Sequence, residues 1–253
     1  MRNPVSFFTR KKEIVLHCYT NRADVYNYFP IVKASKAIPE WFKRLPVPTY
    51  KSPTDHERNL KECVAFSSYF SKGFILPLWS DLFLDIGKQG TDAYTYQYAD
   101  ERSSIDFHPA TNTGNHFSDF EYQHLKLMSP WVFCCDEKIE FLATGPEWYF
   151  DKIQPVNIVG GVLDFKTNSN VNVNTYIKRK EENQAITLEA GCPIYHFVPL
   201  TEKKVRLETH LVDNETYQRI HDKNTPVTFR RHFQKKNSIL DQNECPFKFN
   251  VDK

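Results

Sequence analysis

The densest collection of residues able to do chemistry is Asp106-Phe-His-Pro-Ala-Thr-Asn-Thr-Gly-Asn-His-Phe-Ser-Asp119, followed by His124. Three histidines (His108, His116, His124) beside two aspartates invite a metal reading, because a non-haem iron site needs two imidazoles and one carboxylate around open positions. In β-sandwich oxygenases that triad starts as His-x-Asp or His-x-Glu on one strand. No histidine of this chain is followed two positions later by an acid. His116 and Asp119 stand three apart, as do His210 and Asp213, which puts each pair on opposite faces of an extended chain. The segment therefore reads as a polar surface loop and no metal is expected. His108, His116 and His124, with His196, form the alternative set of a cupin-like, metal-dependent oxygenase.

A second group could hold a ligand without reacting with it. Trp79 and Asp81 share a face of a period-two run, and Trp131 follows Pro130 at a strand start. Aromatic rings beside carboxylates at the mouth of a sheet hold ring-shaped or peptide ligands, and the same rings also serve as core. Trp79, Asp81, Trp131, Asp164 and His196 are the binding candidates. Nucleophilic catalysis has no support, since Gly-x-Ser-x-Gly is absent. Cys192 and His196 would lie roughly 13 Å apart along a strand. Gly160-Gly161 sits in an apolar run with no phosphate-loop continuation, and marks a bulge or a close backbone approach.

Composition narrows the classes. The 253 residues carry a net charge of +2, too little for a phosphate-binding footprint, so nucleic acid is not an expected partner. Basic runs at Arg10-Lys11-Lys12 and Arg230-Arg231-His232 read as solvated charge. No apolar run reaches the roughly 18 residues of a membrane span, and Met1 to Arg10 lacks the apolar core of a signal peptide. A reducing, cytoplasmic setting is expected, with all six cysteines as thiols. No Cys-x-x-Cys pair exists, and adjacent Cys134 and Cys135 point to opposite faces of a strand, so no bound zinc is expected either.

The elements that must position these residues are mostly strands. Met128–Cys135, Ile139–Pro146, Val156–Phe165 and Glu189–Pro199 are short apolar or alternating runs bounded by Pro and Gly, read as consecutive strands of an antiparallel sheet. Ile14–Tyr19 and Val205–Leu211 add strands, and Leu78–Asp85 pairs with Tyr94–Tyr98 as a hairpin. Short helices are expected at Ala23–Phe29, Ile38–Leu45, Leu60–Ser71 and Asn214–His221, with an extended connector over Pro46–Pro53. The reading is one β-rich α+β domain over residues 1–253, an antiparallel β-sandwich or open barrel. It has a helical elaboration at about 23–72 and an irregular tail at about 237–253.

Ile38-Pro-Glu-Trp-Phe-Lys-Arg-Leu-Pro46, Cys63 with Gly73-Phe-Ile-Leu-Pro-Leu-Trp-Ser-Asp81, Pro130-Trp131, Gly161-Val-Leu-Asp164 and Ala190-Gly-Cys-Pro-Ile-Tyr-His-Phe-Val-Pro199 occur in this order. Over residues 30 to 200 the chain thereby resembles an uncharacterised β-rich family of tailed phages, notably of marine bacteria, and of scattered bacterial genomes. It departs after Cys63, where Val-Ala-Phe stands in place of Pro-Pro-Phe. The family carries no activity to transfer. The resemblance implies a phage-encoded protein of the host cytoplasm or the phage particle. With no complete catalytic constellation, the favoured function is non-enzymatic binding or assembly with a protein partner or a second copy. An oxygenase-type enzyme and a small-ligand or glycan-binding module are the alternatives, and no cofactor is expected.

Overall fold

The computed structural model describes residues 13–47, 50–52, 55–56, 59–167 and 170–222. Its strands in chain order are β1 (Ile14–Thr20), β2 (Val32–Lys33), β3 (Tyr50–Ser52), β4 (Asp55–His56), β5 (Phe74–Pro77), β6 (Leu82–Ile86), β7 (Tyr94–Tyr98) and β8 (Ile105–Phe107). They continue with β9 (Tyr122–Cys135), β10 (Glu140–Thr144), β11 (Val156–Ile158), β12 (Gly161–Asp164), β13 (Asn170–Lys178), β14 (Gln184–Leu188), β15 (Pro193–Pro199) and β16 (Val205–Leu211). The helices are α1 (Ala23–Tyr28), α2 (Glu40–Lys43), α3 (Val64–Ser71), α4 (Phe150–Ile153) and α5 (Asn214–Asp222). The fold is α+β and mainly β, a sandwich with short peripheral helices, and among the described residues no sheet closes into a barrel.

Three sheets enclose the core. The largest runs β11-β13-β9-β1-β16 with β8 also beside β9, a second runs β12-β10-β15-β5-β2, and a third runs β14-β6-β7. Strict alternation builds the large sheet. Leu16 and Cys18, Leu125, Leu127 and Phe133, and Val171, Val173 and Ile177 face inward. Their neighbours His17, Tyr19, His124, Lys126, Asn172 and Asn174 take the outer face, as the two-residue period of a strand requires. Phe133 of the large sheet stacks on Phe165 at 4.7 Å, and Phe165 meets Phe141 at 4.9 Å and Phe197 at 5.7 Å, so aromatic rings join the two main sheets. Part of the outer face of the second sheet, around Ile75 of β5, is covered by Phe66 and Phe70 of α3 with Trp41, Phe42 and Trp148; Phe42 stacks on Phe66 at 3.9 Å.

Several expectations need correction at the level of sheets. The four apolar runs do not form one sheet: Met128–Cys135 belongs to the large sheet, Ile139–Pro146 and Glu189–Pro199 to the second. The run Val156–Phe165 divides into β11 and β12, one in each. It crosses at Gly160, where a Cβ would stand 3.0 Å from the Ala143 carbonyl oxygen. β1 and β16 pair in parallel, with His17 opposite Glu208 and Tyr19 opposite His210. The strand read over Leu78–Asp85 begins only at Leu82. Residues 78–81 are a buried crossover tied by Leu78 N–H to Cys192 O and Gly191 N–H to Leu78 O, both 2.7 Å. Trp79 is consequently buried along with Leu78, instead of facing the opposite way. Tyr50–Ser52, inside the expected connector, pairs with Asp55–His56. Gly73 has φ +79° and a Cβ there would meet the Phe197 carbonyl at 2.0 Å, so the turn from α3 into β5 admits only glycine. The tail 237–253, both basic runs and Cys245 lie outside the described residues. Among the described residues no helix is long and apolar enough to cross a membrane.

Leu82 is fully buried where β6 leaves the crossover. Leu82→Ala removes its contacts and leaves a cavity, for a cost of about 2–5 kcal/mol. Urea denaturation checks this, and a loss below about half a kcal/mol would place Leu82 outside the packed core.

Candidate functional site

The binding candidates read from sequence are individually built into the frame and do not meet. Trp79 and Trp131 are each 1% exposed and share no open cleft. Asp81 Oδ1 accepts the Ala190 N–H at 2.7 Å and closes the turn before β15. Asp164 caps its own turn, accepting from Lys166 N–H at 3.0 Å and from the Thr167 hydroxyl at 3.2 Å. His196 is fully buried, with Nε2 2.7 Å from the Lys72 carbonyl and its ring edge-on to Tyr69, which pins the end of α3 to the sheet. Burial holds its pKa below the ordinary histidine value. Cys192, four residues before it, has its thiol pushed up by burial to about 12 and is no nucleophile. The five described cysteines form no disulfide.

The outer face of the large sheet gathers what these residues do not. His108 and His124 do come together, with ring centroids 5.2 Å apart, and His124 stacks on Tyr176 at 4.3 Å. His116 is held apart on the exposed turn, edge-on to Phe117, so the three histidines expected as the alternative metal set do not converge. His108 Nδ1 is bonded to the Asn112 amide at 2.9 Å. Beside the histidines, the crossover at Gly160 opens a cleft of about 360 Å³ between the two main sheets. His108, Lys126, Asn170, Asn172, Asn174 and Tyr195 line it. Lys126 lies 3.4 Å from Asp106, and the Tyr195 hydroxyl donates to Val159 O at 2.8 Å. Asn174 faces His124, yet Asn174 Oδ1 and His124 Nε2 are both buried without a hydrogen bond of proper geometry. Burial, then the neighbouring His108, holds the His124 pKa down.

A second polar group sits farther along the same face. His17 of β1 and Glu208 and His210 of β16 converge, with His17 Nδ1 3.0 Å from His210 Nε2 and 3.3 Å from Glu208 Oε2. The register makes this unavoidable: His17 is opposite Glu208, and His210 is the next outward residue of β16. Tyr19 stacks on His210 at 4.7 Å, and Arg206 grips Glu208 Oε1 and holds its carboxyl below the usual range. Sequence reasoning missed this trio. It tested His-x-Asp/Glu, whereas the signal is the reverse, Glu208-x-His210, with its third member 191 positions upstream of Glu208. The asparagine row was missed as well, although Asn-Val-Asn-Val-Asn-Thr-Tyr-Ile alternates cleanly from Asn170.

No family model, no curated protein and no solved structure matches this chain.

His124, His196 and His210 all have lowered pKa values, from burial first. Each binds its proton less readily in the fold than in the unfolded chain, so stability is full above about pH 6.5 and falls as pH drops below it. Urea midpoints at pH 7.5 and 5.5 should show a clear loss at the lower value. Identical midpoints would mean that these imidazoles are as well solvated in the fold as in the unfolded chain.

Proposed function

We propose that this protein acts by binding, and that the cleft at the Gly160 crossover takes a small, uncharged ligand rich in hydroxyl or amide groups. The single observation behind this reading is Asn174 Oδ1, buried in the lining and facing His124 Nε2 without a hydrogen bond of proper geometry. A buried polar atom without a partner costs about 1–3 kcal/mol, a cost that a donor on the ligand would remove. The asparagine row offers donors and acceptors at the two-residue spacing of a strand, about 6.6–6.8 Å, which suits a flat ring or chain of hydroxyl groups. Lys126 is partly neutralised by Asp106, so the lining supplies little net charge for a strongly ionic ligand. The sequence resemblance over residues 30 to 200 supports a setting in a host cytoplasm or a phage particle.

A protein partner or second copy is the other reading, favoured by one observation. Val162, Leu142 and Val198 lie in register across β12, β10 and β15, with Val162 55% exposed on an edge strand. Self-association through that row would be abolished by Val162→Lys in light scattering. A monomer in both forms removes the second-copy case.

For the cleft, calorimetry against neutral sugars, polyols and small amides should find a ligand whose affinity drops at least tenfold, about 1.4 kcal/mol, in Asn174→Leu. The circular dichroism spectrum of the same variant should match that of the unsubstituted protein, so that a loss of affinity reports on the cleft and not on the fold. Undiminished affinity in Asn174→Leu, or no binding across the panel, would overturn the reading.

A further inference from the structure

We infer that His17, Glu208 and His210 form a binding site for one divalent first-row transition metal ion, zinc being the expected occupant. Among the described residues this is the one group of three metal-capable side chains whose ligand atoms converge. The separations are 3.0 Å from His17 Nδ1 to His210 Nε2, 3.3 Å from His17 Nδ1 to Glu208 Oε2, and 3.9 Å from His210 Nε2 to Glu208 Oε2. A triangle with those sides has a centre about 2.0 Å from every corner, the bond length zinc takes to imidazole nitrogen and carboxylate oxygen. The three separations alone put one point within bonding distance of all three atoms, and small side-chain adjustments would open the angles to those of a four-coordinate ion.

Without an ion the same atoms are held by an imidazole hydrogen bond between His17 and His210 and by the pairing of His17 with Glu208, so a proton and a metal ion compete for one space. The surroundings orient each ligand in the way outer partners of metal sites do. Arg206 takes Glu208 Oε1 and leaves Oε2 for the imidazoles, and Tyr19 fixes the plane of His210 by stacking. Both histidines and the glutamate stand on paired strands and not on loops, so the geometry is set by the β1–β16 ladder.

Two imidazoles and one carboxylate suit zinc, and also iron(II) or cobalt(II), more than calcium or magnesium, which prefer all-oxygen shells. Three protein ligands leave at least one position of a tetrahedral ion open. The side chains are 21% to 35% exposed, so water or a ligand atom can reach it. The Arg206 guanidinium pairs with Glu208 Oε1, the carboxylate oxygen that the trio does not use. Its charge opposes the cation's and tempers affinity without blocking access.

The test uses the full chain stripped with a chelator. Zinc titration by calorimetry should show one ion per chain, and His210→Gln and Glu208→Gln should each weaken binding at least tenfold with the circular dichroism spectrum retained. His116→Gln, on the exposed turn outside both polar groups, should leave the affinity unchanged. A readout on the unsubstituted protein covers the case in which those variants do not fold. Nitrogen-15 spectra of the nine imidazoles should show two, and only two, shifting on zinc addition, and cobalt(II) should give the visible bands of a four-coordinate N/O site. No zinc uptake, equal uptake by His210→Gln and the unsubstituted chain, or imidazole shifts spread over many histidines would each overturn the proposal.

Discussion

The stack of Phe133 on Phe165, closed by Phe141 and Phe197, is the contact on which the rest of this molecule depends. It joins the large sheet to the second sheet, and it decides which way β9 faces. Once Phe133 and Leu127 point into the core, alternation leaves Cys134, Lys126 and His124 no choice but the outer side. The same parity passes to β13 and β1 through their registers with β9, and from β1 to β16. Both polar groups described above are therefore consequences of hydrophobic packing on the opposite face. A one-residue slip of β9 would bury histidine and lysine and expose phenylalanine, a price far larger than any local preference could offset.

The third sheet is attached by a different device. Arg179, 2% exposed at the end of β13, donates to Asp119 O, Gly87 O, Ala93 O and Gln123 Oε1 at 2.6–2.9 Å. The planar guanidinium can satisfy four acceptors in one plane where lysine's single ammonium cannot. Two of those carbonyls flank the β6–β7 hairpin, so one buried cation clips that hairpin to the edge of the large sheet. Burial lowers the Arg179 pKa, yet four hydrogen bonds compensate for its lost hydration.

The two polar groups differ in how they are built. The cleft forms because one run of chain, Val156 to Phe165, changes sheets at Gly160 and leaves a gap that side chains do not fill. The His17–Glu208–His210 trio needs no gap, only a parallel ladder between two strands far apart in sequence. Each lies where a continuous sheet has been interrupted or extended, at a crossover or at an edge strand. Such places keep polar side chains within reach of solvent while the core holds their backbone still.

Local chemistry was legible in the amino-acid sequence. Alternation located β1, β6, β7, β10, β15 and β16, Pro39 and Gly73 bracketed short helices, and Gly160 announced a close backbone approach. The mainly β class followed from those patterns, because hydrophobic period is a property of neighbouring residues. Pairing is not such a property. Which strands share a sheet, that β1 and β16 run parallel, and that residues 78–81 cross between sheets with Trp79 buried all depend on packing between segments distant along the chain. For that reason Trp79, Asp81, Trp131, Asp164 and His196 looked like a site and serve as frame. His17, Glu208 and His210 looked unrelated and meet within 4 Å, because register across a sheet is decided by the core beneath it and not by spacing in the sequence.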